Sequence, residues 1–69
     1  MSVRVELKSK LIEAASYEEA ECVMRVYLTN GQMRDYADVP RSVFEQLVGA
    51  RSAGNYFMEH IRGRFRHPA

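Results

Sequence analysis

Between residues 22 and 29 the chain alternates strictly: Cys22, Met24, Val26 and Leu28 fall on one side, and Val23, Arg25, Tyr27 and Thr29 on the other. Successive side chains of a pleated strand point to opposite faces, so this stretch predicts a strand from Cys22 to Thr29 with Cys22 inward, a small buried hydrophobe. Upstream, Leu11 to Tyr17 reads as a second half-buried strand with Ile12 and Ala14 inward, closed by the polar turn Glu18-Glu19-Ala20-Glu21. Val3, Val5 and Leu7 alternate with Arg4, Glu6 and Lys8, which predicts an extended N-terminal arm or short edge strand. Downstream, Asn30-Gly31 joins two residues that tolerate positive φ, so a hairpin leads into a third strand from Gln32 to Tyr36.

The period then changes. Pro40 suits a first helical turn, where its missing N–H has no intrahelical partner, and Asp38 lies in position to help cap it. Val43, Phe44, Leu47 and Val48 make the apolar stripe of a helix stopping near Gly49. Ser52 is a natural N-cap for a second helix, in which Phe57, Ile61 and Phe65 recur on one face. The predicted fold is α+β: a three-stranded antiparallel β-meander, with the N-terminal arm as an extra edge strand, followed by two α-helices packed on one face, β-β-β-α-α. Residues 1–69 form one domain, without repeats, linkers or low-complexity segments.

Two hairpin registers compete, and a one-residue slip moves every side chain to the other face. A two-residue turn pairs Tyr27 with Arg34 and Arg25 with Tyr36, giving an exposed aromatic and cationic platform suited to bases and phosphates. A three-residue loop of Thr29, Asn30 and Gly31 pairs Val26 with Arg34, Met24 with Tyr36 and Arg25 with Asp35, putting Tyr36 against the core. The second is favoured, because it opposes unlike charges and keeps Asp35 off the core face. Arg34 must then sit at the sheet periphery, reach water along its stem, or pair with an acid such as Glu59.

Length narrows the picture. A chain of 69 residues buries only about 60% of its unfolded surface and holds a single core. Its one cysteine excludes an intramolecular disulfide and points to a reducing, cytoplasmic compartment. Cys22, His60 and His67 lack metal-ligand spacing, so no metal or cofactor is expected. Without staples, self-association is the remaining way to gain buried area, and a homo-oligomer is expected on that ground. No apolar run spans a bilayer, and the N-terminus has no signal-peptide core. Net charge is +1, but residues 1–39 carry 5 basic and 7 acidic groups against 5 and 2 in residues 40–69. The excess ends the chain, in His60-Ile61-Arg62-Gly63-Arg64-Phe65-Arg66-His67, a phosphate-contacting segment or a solvated tail.

The ordered set of Leu7, Ser9, Ile12 and Tyr17, then Met24-x-Val26-x-Leu28, Gly31 and Tyr36, then Val39-Pro40 and Val43-Phe44, closes on Ala50-Arg51-Ser52-Ala53-Gly54-Asn55-Tyr56-Phe57 and Ile61-Arg62. It resembles the KTSC domain, a small module named for the C-terminus of some lysyl-tRNA synthetases. The resemblance covers nearly the whole chain. It implies a free-standing bacterial or phage protein of unassigned function, for which RNA binding has been suggested. Arg34-Asp35-Tyr36 stands where the family has Tyr-x-Tyr, Asp38 where a glycine is common, and Met58 where a polar residue is usual.

Catalysis finds little support. None of Ser9, Ser16, Ser42, Ser52 or Cys22 sits in a glycine elbow, and neither His60 nor His67 is placed beside a nucleophile by any motif, so no enzyme activity is expected. The Glu18–Glu21 turn reads as solvated. Ser52-Ala53-Gly54-Asn55 is favoured as a capped turn, with Gly54 allowing close packing, over a phosphate-binding helix start. Two functions from different classes remain. The first is a nucleic-acid module binding RNA or single-stranded nucleic acid, with Arg34, Tyr36, Arg51, Arg62, Arg64 and Arg66 as the candidate residues. The second is a protein-interaction or self-assembling domain, phage-borne and acting on a host protein in one version, favoured by near-zero net charge and a small core.

Overall fold

The hairpin register is the one that opposes Arg25 to Asp35: Met24 pairs with Tyr36, Val26 with Arg34 and Tyr27 with Met33. Gly31, at φ +91°, takes the left-handed position of the three-residue loop, and Leu28 donates its N–H to the Gln32 carbonyl at 2.8 Å. A computed structural model describes residues 2–68 and shows four strands, β1 (Ser2–Glu6), β2 (Ile12–Glu18), β3 (Val23–Leu28) and β4 (Met33–Tyr36), in sheet order β1-β2-β3-β4 with every pair antiparallel. The N-terminal arm is therefore a true edge strand. Helices α1 (Arg41–Gly49) and α2 (Ala53–His60) follow.

One sheet face supplies Ile12, Ala15, Tyr17, Met24, Val26, Leu28 and Tyr36, and the helix side supplies Val39, Phe44, Leu47, Ala53, Phe57 and Ile61; all are buried in one cluster. Fully burying side chains of this size is worth about 1.5–3 kcal/mol each, which is the main force holding helices to sheet. Tyr17 stacks on Phe44 at 5.4 Å and donates its hydroxyl to the Val39 carbonyl at 2.7 Å. The two helices thus cover one face of the four-stranded sheet through Leu47 and Phe57 among others.

Local expectations fail where tertiary contacts decide. The β2–β3 pairing slips between Ile12 and Ala14, so Ala15, not Ala14, joins the core cluster, and Ala14 points to the opposite face between Glu6 and Tyr27 on the flanking strands. Cys22 is exposed, not inward. It lies before β3 in the turn at φ +55°, where its carbonyl accepts the Val39 N–H at 2.9 Å. Asp38 caps nothing: at φ +57° it turns the chain from β4 toward α1, whose N-terminus has no side-chain cap. Ser52 does cap α2, accepting the Asn55 N–H at 3.3 Å. That helix stops at His60, short of Phe65.

Residues 62–68 are exposed apart from the half-buried Phe65, yet they are tied to the sheet at several points. Gly63, at φ +75°, reverses the chain, Phe65 packs against the core, and the Arg66 carbonyl accepts the Ala37 N–H at 2.8 Å. His67 places its ring 5.2 Å from that of Tyr36 and its Nδ1 2.8 Å from the Asp35 carbonyl. A carbonyl only accepts, so that nitrogen carries the proton. The tail is thus a strap along the end of β4.

Candidate functional site

The chain has eight arginines and two lysines. Four arginines are neutralised within the molecule: Arg4 by Glu6, Arg25 by Asp35, Arg41 by Glu19 and Glu45, and Arg66 by Asp38. Among the described residues, Arg34, Arg51, Arg62, Arg64, Lys8 and Lys10 meet no carboxylate. Arg34 reaches only the Gln32 amide oxygen at 3.4 Å, not Glu59, and Arg62 only the Met58 sulfur at 3.6 Å.

Those unpaired cations are not scattered. A first groove of about 550 Å³ is lined by Lys8, Lys10 and Arg51, with the first turn of α2 and Val48 as its other walls. A second, of about 600 Å³, is lined by Arg34 and Arg62 together with Asn30, Gln32, Tyr36 and His67 over an apolar floor that includes Phe57 and Phe65. The two adjoin, sharing Leu11 and Met58 as a common wall, and no aspartate or glutamate lines either. Met58 is half exposed at that junction.

Gly54 explains how the first groove forms. A Cβ there would lie 3.3 Å from the Ser9 hydroxyl and 3.4 Å from the Leu11 Cβ, so glycine lets α2 approach the β1–β2 loop without pressing on Ser9. Ser9 stiffens that loop by accepting the Leu11 and Ile12 N–H groups at 3.1 and 3.2 Å. Thr29 ties it to the hairpin through its hydroxyl, which donates to the Lys10 carbonyl at 2.8 Å. Lys8 and Lys10, far from Arg51 in sequence, thereby share its groove.

Tyr36 is the centre of the second groove. Its ring is almost fully buried, edge-on to Phe57 at 6.0 Å. Burial raises the pKa of its phenol, and the charges of Arg34 and Arg62 oppose that rise. Two other tyrosine hydroxyls are engaged, Tyr17 donating to Val39 and Tyr56 to the Gln46 amide oxygen at 2.9 Å, while Ser16 and Arg25 lower the pKa of the Tyr27 phenol. Of the two buried tyrosines, Tyr17 and Tyr36, Tyr36 has no hydrogen-bond partner among the described residues.

Of the candidates named from sequence, the fold gathers Arg34, Tyr36 and Arg62 into one groove and Arg51 into its neighbour. Arg64 lines neither, and Arg66 is turned away to Asp38. Sequence reading missed Lys8 and Lys10. The only hint was two lysines bracketing Ser9 in a turn. Among the described residues no three His, Cys, Asp or Glu side chains converge as metal ligands, and no helix is long and apolar enough to cross a membrane. His60 lies against the Tyr56 ring at 4.7 Å, with Glu59 3.8 Å away.

Residues 8–65, from the groove-lining Lys8 to Phe65, match the sequence pattern of the KTSC domain. The chain belongs to the KTSC domain family. A KTSC domain protein from Yersinia pestis, known from its crystal structure, superposes over 100% of both chains with a TM-score of 0.88 at 21% identity, which shows the shared fold. A protein of Tsukamurella paurometabola is 37% identical over 60 residues, covering 87% of this chain and 90% of that one. A lysine–tRNA ligase of Nostoc punctiforme is 32% identical over 59 residues, 86% of this KTSC chain but 10% of the enzyme. One from another Nostoc strain is 32% identical over 60 residues, and the chain spans 11% of it.

Proposed function

We propose that this KTSC domain is a non-catalytic binding module whose adjoining grooves hold a single strand of RNA. The observation that carries the reading is the segregation of charge: five unpaired cations, Lys8, Lys10, Arg34, Arg51 and Arg62, line two adjoining grooves that have no carboxylate. Folded proteins usually place a carboxylate beside a cation when one is at hand, as four arginines of this chain show. Cations left bare in a concavity are matched to an anion from outside. A concave, apolar-floored surface suits a flexible strand, whose backbone tracks the charge while bases meet aromatic or apolar groups. A duplex instead needs a protruding element to enter its groove. The lysine–tRNA ligase relatives, enzymes named for a tRNA substrate, support RNA as the polymer.

Fluorescence polarisation with a labelled oligoribonucleotide of about 10 nucleotides tests this, since sites of this kind cover roughly 4–16. Affinity should fall steeply between about 50 and 200 mM salt, because the counterions released on binding gain less free energy as salt rises. No polarisation change at the lowest salt would reject the reading. A second reading, an acidic protein segment in the same grooves, draws on the half-exposed Met58 at their junction. Nuclease treatment before co-purification separates the two, because a protein partner survives it.

A further inference from the structure

Burying a tyrosine where phenylalanine would pack equally well leaves a hydroxyl that must be satisfied, and the other buried tyrosine, Tyr17, satisfies its own on the Val39 carbonyl. Tyr36 does not. Its ring is 2% exposed, while its hydroxyl has no partner among the described residues and is not sealed away from solvent, since no fully buried polar side-chain atom lacks a partner. It therefore ends at the second groove, which Tyr36 lines beside Arg34 and Arg62. Neither arginine meets a carboxylate, and the charges of both act on the phenol. A neutral donor sharing a groove with two cations, with no carboxylate in the lining, is the donor set of a tetrahedral oxyanion.

We propose that Tyr36, Arg34 and Arg62 form a phosphate subsite, in which the Tyr36 hydroxyl donates to one oxygen of a single phosphate and the two guanidiniums bind the others. The proposal rests on the RNA reading and deepens it: one phosphate of the strand is bound at a fixed point, and the rest of the band contributes diffuse attraction. The phosphate belongs either to an internal linkage or to a strand end. Raised by burial, the phenol stays protonated and able to donate at neutral pH.

The two kinds of contact separate by salt. Tyr36→Phe removes a donor without removing charge, so affinity for a 5′-phosphorylated oligoribonucleotide should fall about tenfold with the salt dependence unchanged. Arg62→Gln should lower affinity and also flatten the salt dependence by about 0.7 in log–log slope, the loss of one phosphate contact on a single strand. Because the hydroxyl bonds to nothing within the chain, Tyr36→Phe should melt with the wild type. Replacing one linkage at a time by neutral methylphosphonate should find one position whose effect vanishes in the Tyr36→Phe background. If instead removing the 5′-phosphate alone abolishes that difference, the subsite takes a strand end. Binding by Tyr36→Phe equal to wild type across the series would overturn the subsite while leaving the RNA reading intact. Absence of binding by the wild type would reject both.

Discussion

The two faces of this domain use the same residue types to opposite effect. On the outer sheet face Arg4 lies 4.3 Å over the Tyr27 ring and pairs with Glu6, while Arg25 is held by both oxygens of Asp35 at 2.6 and 3.1 Å. Both arginines there are answered within the chain. On the groove side Arg34, Arg51 and Arg62 meet no acid, and Tyr36 presents a hydroxyl with no partner. Self-neutralised charges fix strand register. Charges left bare in a concavity are free to meet an outside anion, so the groove face is the one to test.

Charge reversal breaks the comparison most severely. Arg34→Glu with Arg62→Glu puts two acids beside the strand and should weaken RNA binding by about a hundredfold or more at low salt. Arg4→Gln with Arg25→Gln, on the outer face, should leave affinity within about twofold by polarisation titration. Equal losses from both pairs would mean that binding follows overall charge and not the grooves.

The tyrosines give a smaller effect, on stability. Tyr17→Phe discards a buried hydroxyl bonded to the Val39 carbonyl and should cost about 1 kcal/mol in urea denaturation, whereas Tyr36→Phe should cost close to nothing. A loss from Tyr36→Phe as large as that from Tyr17→Phe would show that its hydroxyl has an internal partner. The smallest effect concerns acid. Arg25 holds the Asp35 carboxyl below its ordinary value of 3.8, so the folded state binds that proton less readily than the unfolded chain. The stability this supplies is fully present above pH 3.8 and is lost as pH falls through the lower folded value. Both side chains are partly exposed, so it amounts to a few tenths of a kcal/mol. Asp35→Asn should be slightly less stable at neutral pH and show a shallower acid limb, read by chemical denaturation at a series of pH values. An unchanged acid limb would assign it to other carboxylates.

The hairpin was legible because two local signals agreed: the left-handed tolerance of Asn30-Gly31 and the opposed charges of Arg25 and Asp35. Ser52 was legible as a cap for the same local reason. The β2 bulge was not, since no glycine marks Glu13 and either Ala14 or Ala15 fits the core. Cys22 continues the apolar alternation of β3 by residue type, but the chain turns there at positive φ, a backbone state its side chain does not announce. The cationic groove lining was half legible. Arg34, Tyr36, Arg51 and Arg62 were named, while Lys8 and Lys10 reach it only through the approach of Ser9 to Gly54, a contact between segments distant in sequence. Arg66 left the set for the equally non-local reason that Asp38 waits at the end of β4.

The claim that one face receives the ligand is tested most directly by NMR shifts recorded while single-stranded RNA is added to the isotope-labelled wild-type domain. The account predicts perturbed amides at Ser9, Asn30, Arg34, Gly54 and Arg62, and perturbed side-chain Nε signals for Arg34, Arg51 and Arg62, with Ser16, Arg25 and Tyr27 unmoved. Shifts centred on Ser16, Arg25 and Tyr27, with the grooves silent, would contradict it.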